Sequence, residues 1–196
     1  KIRTWESRSN VRLVQRQEKP DLTASILAGT ATAKSDVIVV MDADLSHPPE
    51  RLSAVVTPVL DGTHDVVVGS RYIAGGNTEN WPLHRQLLSR IGGWIARPIC
   101  DVNDATSGFF AFRRELTASI SNHAHGYKIL LELLIANQGK LRVTEVPIIF
   151  HDRTHVTSKL SFSHQRAYIQ RLITLAGGTA TLNTAGRFAV VGLFGV

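Results

Sequence analysis

A chain of 196 residues has room for one good hydrophobic core, or for one domain with an appendage. With 43% hydrophobic and 19% charged residues it reads as globular and slightly oily, which excludes an intrinsically disordered chain. The net charge of +6 suits anionic partners such as a membrane surface or phosphorylated substrates. Nucleic acid is not among the expected partners, because the cations are dispersed and no helix-turn-helix, zinc-finger or RNA-binding aromatic pattern occurs. The single cysteine, Cys100, allows neither a disulfide framework nor a thiolate zinc site within the chain and reads as filler. Lys1 to Trp5 lacks the apolar core of a signal peptide.

In chain order, Asn10-Val11-Arg12-Leu13-Val14-Gln15 alternates polar and apolar and predicts a half-buried strand. Leu22 to Ala33 is helical in composition, with Asp21 as cap. Val37 to Met41 is a continuous apolar run and predicts a strand buried on both faces. A helix opens at Pro48-Pro49 and ends near Leu60, before Asp61-Gly62. Asp65 to Arg71 predicts a second buried strand. Strands alternating with helices over short connections imply parallel crossovers and an α/β fold.

Beyond that, Ala74 to Asn77 reads as a mobile loop, followed by a helix from about Leu83 to Ala96. A loop from Asp101 to Ser107, a strand from Gly108 to Arg113, a helix from Leu130 to Asn137 and a strand from Val143 to Phe150 complete the pattern. His151 to Ser161 is polar and basic. Ser163 to Leu175 sets Tyr168, Ile169, Leu172 and Ile173 along one side, which suits an amphipathic helix lying in a membrane interface. The oily stretch 187–196 is about half of the roughly 20 residues a bilayer crossing needs, and reads as the start of a transmembrane segment. The expected division is a catalytic domain over 1–161, an interface helix region over 162–186, and the membrane segment.

The stretch Asp42-Ala43-Asp44-Leu45-Ser46-His47-Pro48-Pro49-Glu50 carries the most chemistry. Alternate residues of an extended chain point the same way, so Asp42 and Asp44 are expected to leave the strand end with both carboxylates on one side. Two hard oxygen ligands there suit Mg²⁺ or Mn²⁺, with substrate phosphates completing the shell. Ligands of open α/β sheets bind at that edge, so a nucleotide-diphosphate site is expected. Taken alone, a DxD that merely ends a strand is an even alternative.

This stretch resembles the DADLQHPPE motif of family-two glycosyltransferases, in particular those that act on dolichyl or polyprenyl phosphate, with Ser46 where Gln is frequent. Val68-Gly69-Ser70-Arg71-Tyr72 is similar to the family's VVGSRY. Trp81-Pro82 with Arg85 and Ser89 resembles its W-P-x-x-R-x-x-x-S, and Asp104 with Ser107-Gly108-Phe109-Phe110 its D-x-x-SGFF. Arg153 with Ser158-Lys159-Leu160 resembles the closing R-x-x-G-x-SKL, with Val156 in place of Gly.

The resemblance implies a GT-A-like (Rossmann-like) α/β fold, with a mixed, mostly parallel sheet flanked by helices. It implies transfer of a hexose, mannose foremost, from GDP-mannose or UDP-glucose to a lipid phosphate by an inverting displacement at the cytoplasmic membrane face. Asp42, Asp44 and Ser46 would hold the metal, and Gly108 and Lys128 would border the donor. Asp104 would orient a sugar hydroxyl or the acceptor loop, a turn-capping role being its alternative. Arg71, Arg85, Ser89, Arg153 and Lys159 would gather the acceptor phosphate. An anion already ionised near neutral pH needs little help from a base. The eight histidines read as surface or satisfied core residues.

The family's opening P-x-Y-N-E strand and its base-binding acidic strand have no counterpart here. The chain is therefore expected to be a fragment, incomplete in its nucleotide-binding half and weak or inactive alone. Two other readings stand beside this one: an aspartate-nucleophile phosphohydrolase, which Leu45-Ser46 fits poorly, and a degenerate domain that docks on membranes or partners through its basic surface.

Overall fold

The computed structural model describes residues 10–18, 21–97, 100–120, 128–137 and 140–152, all within one compact unit, Lys1–Asp152. The side chains of Arg153 and Lys159, the amphipathic stretch and the oily terminus lie outside the described residues. Among the described residues no helix is long and apolar enough to cross a membrane.

Helix α1 (Leu22–Thr32) starts where expected, because the Asp21 carboxylate accepts the Ala24 N–H at 2.8 Å and satisfies an orphan donor of the first turn. The expected strand at 10–15 does not form: residues 11–17 carry no ladder. The segment is tied to α1 instead, Arg12 donating to the Thr32 carbonyl at 2.8 Å and Arg16 to that of Asp21 at 3.2 Å. Alternation specifies a strand only where a neighbouring strand takes up its hydrogen bonds.

Strand β1 (Val37–Val40) is only half-buried, against the expectation of two covered faces. A short 3₁₀ turn (Pro49–Arg51) feeds helix α2 (Leu52–Leu60), and strand β2 (Val66–Ser70) is fully buried. Strand β3 (Asn77–Glu79) begins inside the expected loop. Helix α3 spans Leu83–Ala96, strand β4 Phe110–Arg113 and helix α4 Ile129–Ala136. The last predicted strand is two: β5 (Val143–Pro147) and β6 (Ile149–His151).

The main sheet runs β1-β4-β2-β5, and β3 pairs with β6 in a separate two-stranded sheet. β1, β2 and β5 share one direction, but β4 lies antiparallel between β1 and β2, so within this sheet only the β2–β5 pairing is parallel, as is β3–β6 in the small one. The sheet is mixed α/β as expected, and the direct parallel neighbourhood of β1 and β2 is replaced by that wedge. Val55 and Val59 of α2 pack on Val67, Phe109, Ala111 and Ile148 to form the core. Gly69 is required by this approach: a Cβ there would stand 2.8 Å from the Phe109 ring and 3.2 Å from Ile148. The wedge brings the amino end of β4 to the same edge as the carboxyl ends of β1 and β2.

Candidate active site at the sheet edge

That edge gathers three loops. The first follows β1. The chain does not continue extended through Asp42 and Asp44: residues 43–44 turn, and Leu45 adopts φ 64° with its side chain 78% exposed. The expected alternation therefore does not orient the two acids. The turn does, through Asp44, whose Oδ1 accepts the Ser46 N–H at 3.1 Å and the Ser46 hydroxyl at 2.5 Å. Ser46 and His47 are buried, Asp42 is half-buried and Asp44 is exposed. The His151 N–H donates to the Ser46 carbonyl at 3.0 Å and pins the loop to β6.

His47 is a satisfied core histidine. Its Nδ1 accepts the Asp42 N–H at 3.2 Å, and burial lowers its pKa although the Asp42 charge opposes that. Beneath the turn lies Gly108, where a Cβ would meet His47 Cε1 at 3.3 Å and Asp42 Oδ2 at 3.5 Å. The glycine thus leaves a small space bounded by the imidazole and the Asp42 carboxylate.

The second and third loops are locked together. Arg71, at the end of β2, donates from Nε and Nη2 to both Asp104 oxygens at 2.7 Å, and its N–H reaches Asp104 Oδ2 at 3.0 Å. Asp104 is 0% exposed. The guanidinium carbon stands 5.1 Å from the ring centre of Tyr72, 5.3 Å from Trp81 and 5.7 Å from Phe150. Burial pulls the Arg71 pKa down, but the Asp104 charge and hydrogen bonds outweigh it, so the cation persists. Asp104 is thus the counter-ion of Arg71, an arrangement the sequence did not indicate.

Glu145 of β5 supports this pair. Its Oε1 accepts the Asp104 N–H at 3.0 Å, and its Oε2 accepts the Asn103 N–H at 2.9 Å and the Asn103 amide at 2.7 Å. A lone acid within the strand stretch Val143-Thr144-Glu145-Val146 is the one signal for it. Lys128, just before α4, feels both partners. Burial pushes its pKa down to about 8, with the Arg71 charge adding to that and Asp104 opposing.

A cleft of about 630 Å³ opens beside Arg71, lined among others by Tyr72, Arg90, Ile91, Trp94 and Arg97. The Tyr72 hydroxyl is buried without a partner at hydrogen-bond distance, although Ser89 stands near enough to favour its ionised form; burial nevertheless raises its pKa. Ser89 therefore faces this side of α3. Arg85 lies in the first turn of α3, its side chain outside the described residues. Cys100 is inert: burial pushes its thiol up to about 12, and it donates to the Ala96 carbonyl.

Asp42 and Asp44 fit a divalent cation by donor chemistry. They are two oxygen donors at an exposed turn, and Mg²⁺-type sites commonly use one or two carboxylates with substrate phosphates. Among the described residues no group of three His, Cys, Asp or Glu side chains forms a closed cage. The Ser46 hydroxyl is engaged by Asp44 and orients it.

A mixed sheet with carboxylates, an ion-paired arginine and a basic cleft along one edge defines a GT-A-like α/β domain. The family description "Glycosyl transferase family 2" matches residues 2–120, and the chain belongs to that family. It is 38% identical to a dolichol-phosphate mannosyltransferase of Pyrococcus furiosus over 99% of this chain and 57% of that protein. The Saccharomyces cerevisiae protein of the same name is 34% identical over 83% of this chain and 63% of its own length. A polyprenol monophosphomannose synthase of Mycolicibacterium smegmatis is 36% identical over 80% and 62%.

The chain thus spans roughly three fifths of these relatives. Among solved structures, glucosyl-3-phosphoglycerate synthase of Mycobacterium tuberculosis, in complex with Mn²⁺, UDP-glucose and phosphoglyceric acid, superposes with a TM-score of 0.59 at 21% identity. That match covers 88% of this chain and 59% of that one, and shows the fold. Family membership answers the phosphohydrolase alternative.

Proposed function

We propose that the protein transfers mannose from a nucleotide sugar, GDP-mannose foremost, to the phosphate of a dolichyl or polyprenyl lipid, with inversion at the anomeric carbon. The observation that carries this reading is the cleft beside Arg71, which joins guanidinium groups to exposed apolar side chains. An acceptor with an anionic head and a hydrocarbon tail has both properties. Similarity to the mannosyltransferases over most of the chain supports it.

In this mechanism Asp42 and Asp44 would hold a divalent cation, Mg²⁺ or Mn²⁺, which would supply charge neutralisation to the departing diphosphate. Ser46 keeps Asp44 aimed. The space over Gly108 admits the donor close to the backbone. Arg71, held rigid by Asp104 and three aromatic rings, presents a fixed positive charge to the incoming phosphate. Lys128 adds a second cation behind it, and Ser89 of α3 is assigned to the same anion; the family resemblance assigns Arg85, Arg153 and Lys159 that role too. One C–O bond to the diphosphate breaks as one to the lipid phosphate forms, so no side chain needs to take up a proton.

On α3, Leu87, Ile91 and Trp94 expose 60%, 42% and 71% of their surface at helical spacing, with Arg90 beside them. This face suits contact with an anionic bilayer, and the net charge of +6 favours the cytoplasmic leaflet.

Membranes containing the full-length protein should label a lipid from GDP-mannose only when a divalent cation is present. Asp44→Asn, at an exposed position, should fold normally and lower that transfer by roughly 100-fold. Undiminished transfer by Asp44→Asn would overturn the reading.

A further inference from the structure

We propose that His47 is a positioning residue for Asp42, acting through the hydrogen bond that its ring accepts from the Asp42 main chain. The inference rests on the role given above to Asp42.

The ladder between β1 and β4 ends at the Val40–Phe110 pair. Two residues on, the Asp42 N–H has no strand to donate to, and a buried orphan donor costs free energy. The chain turns through Leu45 and returns His47 five residues later, so that Nδ1 receives this N–H at 3.2 Å. A side chain thus supplies the acceptor that a further rung of the sheet would have supplied. Because Nδ1 must offer a lone pair, the neutral ring carries its proton on Nε2.

The ring cannot swing away. It is 3% exposed, lies 5.5 Å from Phe109 and meets Phe150 edge-on at 5.1 Å, with Trp81 packed behind Phe150 at 5.3 Å. Its nearest approach to the Asp42 carboxylate, Nδ1 to Oδ2, is 4.0 Å, beyond hydrogen-bond reach. The hold is therefore on the backbone, and the carboxylate stays available to a ligand. The same ring walls the space over Gly108, since a Cβ there would stand 3.7 Å from Nε2 and 3.5 Å from Asp42 Oδ2.

Three variants separate this hold from packing. In His47→Asn the side-chain oxygen can take the place of Nδ1. His47→Phe keeps an aromatic ring but offers no acceptor, and His47→Gln moves the acceptor to the far position. The readout is calorimetric titration of the full-length protein with Mn²⁺ and GDP, with no acceptor present and no turnover. His47→Phe should weaken metal-dependent GDP binding roughly tenfold, and His47→Asn should stay within about threefold of the wild type. In the transfer assay the KM for polyprenyl phosphate should be unchanged in His47→Asn.

Should His47→Phe fail to fold, His47→Gln binding roughly tenfold more weakly than His47→Asn carries the same conclusion. Wild-type binding by a folded His47→Phe overturns the inference alone, as does a His47→Asn variant no better than His47→Gln. If the wild type shows no metal-dependent binding, the functional reading falls and this inference with it.

Discussion

The turn after β1 and the network joining Arg71, Asp104 and Glu145 lie along one sheet edge, yet they handle charge in opposite ways. In the turn, Asp44 is exposed, and its Oδ1 accepts the main-chain N–H and the hydroxyl of Ser46. In the network, Asp104 is 0% exposed and its carboxylate is taken up by the Arg71 side chain and main chain, with Thr106 at 3.4 Å. On the proposed function, the first arrangement is a place where a ligand completes the coordination. The second is complete without one and offers rigidity. A metal that comes and goes with its substrate calls for the first, whereas a cation that must not move when an anion arrives calls for the second.

The contrast is open to direct attack. Asp104→Ala leaves the Arg71 guanidinium buried and unpaired and should destabilise the protein by about 3–5 kcal/mol in urea unfolding. Replacing both partners with apolar residues should recover much of that loss. If Asp104→Ala costs no more than a surface substitution, the network is not the rigid half.

Lys128 tests the same half through pH. Its folded pKa, about 8, lies below the ordinary lysine value near 10.4, so the unfolded chain binds more protons between the two. Stability should rise with pH across that window and level off below about 8. Lys128→Met should remove that slope, and parallel urea midpoints for the two proteins across the window would refute it.

The smallest effect belongs to the turn. Ser46→Ala removes one bond to an exposed carboxylate that water can replace. It should cost about 1 kcal/mol or less in unfolding, and the loss should appear instead in metal-dependent nucleotide binding. A loss as large as that of Asp104→Ala would show that the turn is as tightly built as the network.

Much of this was legible beforehand. The Asp21 cap and helix α1, the helix Leu83–Ala96 and the buried run Val66–Ser70 follow from short-range rules, since capping geometry and unbroken apolar runs need few distant partners. The strand at 10–15 misled because alternation does not say whether a neighbouring strand exists. Val143 to Phe150 reads as one strand because nothing local shows that its two halves join different sheets.

By itself the sequence determined the α/β class, the ordered motifs that mark a family-two glycosyltransferase, and the types of side chain available for chemistry. It did so because periodicity, capping and motif spacing are written between near neighbours. Only the tertiary structure decided that β4 inserts antiparallel between β1 and β2. The same holds for the pairing of Arg71 with Asp104 across 33 positions and for the acceptor His47 lends to Asp42. Strand order, an ion pair between distant loops and the closing of a turn are fixed by which buried groups find partners once the sheet has formed.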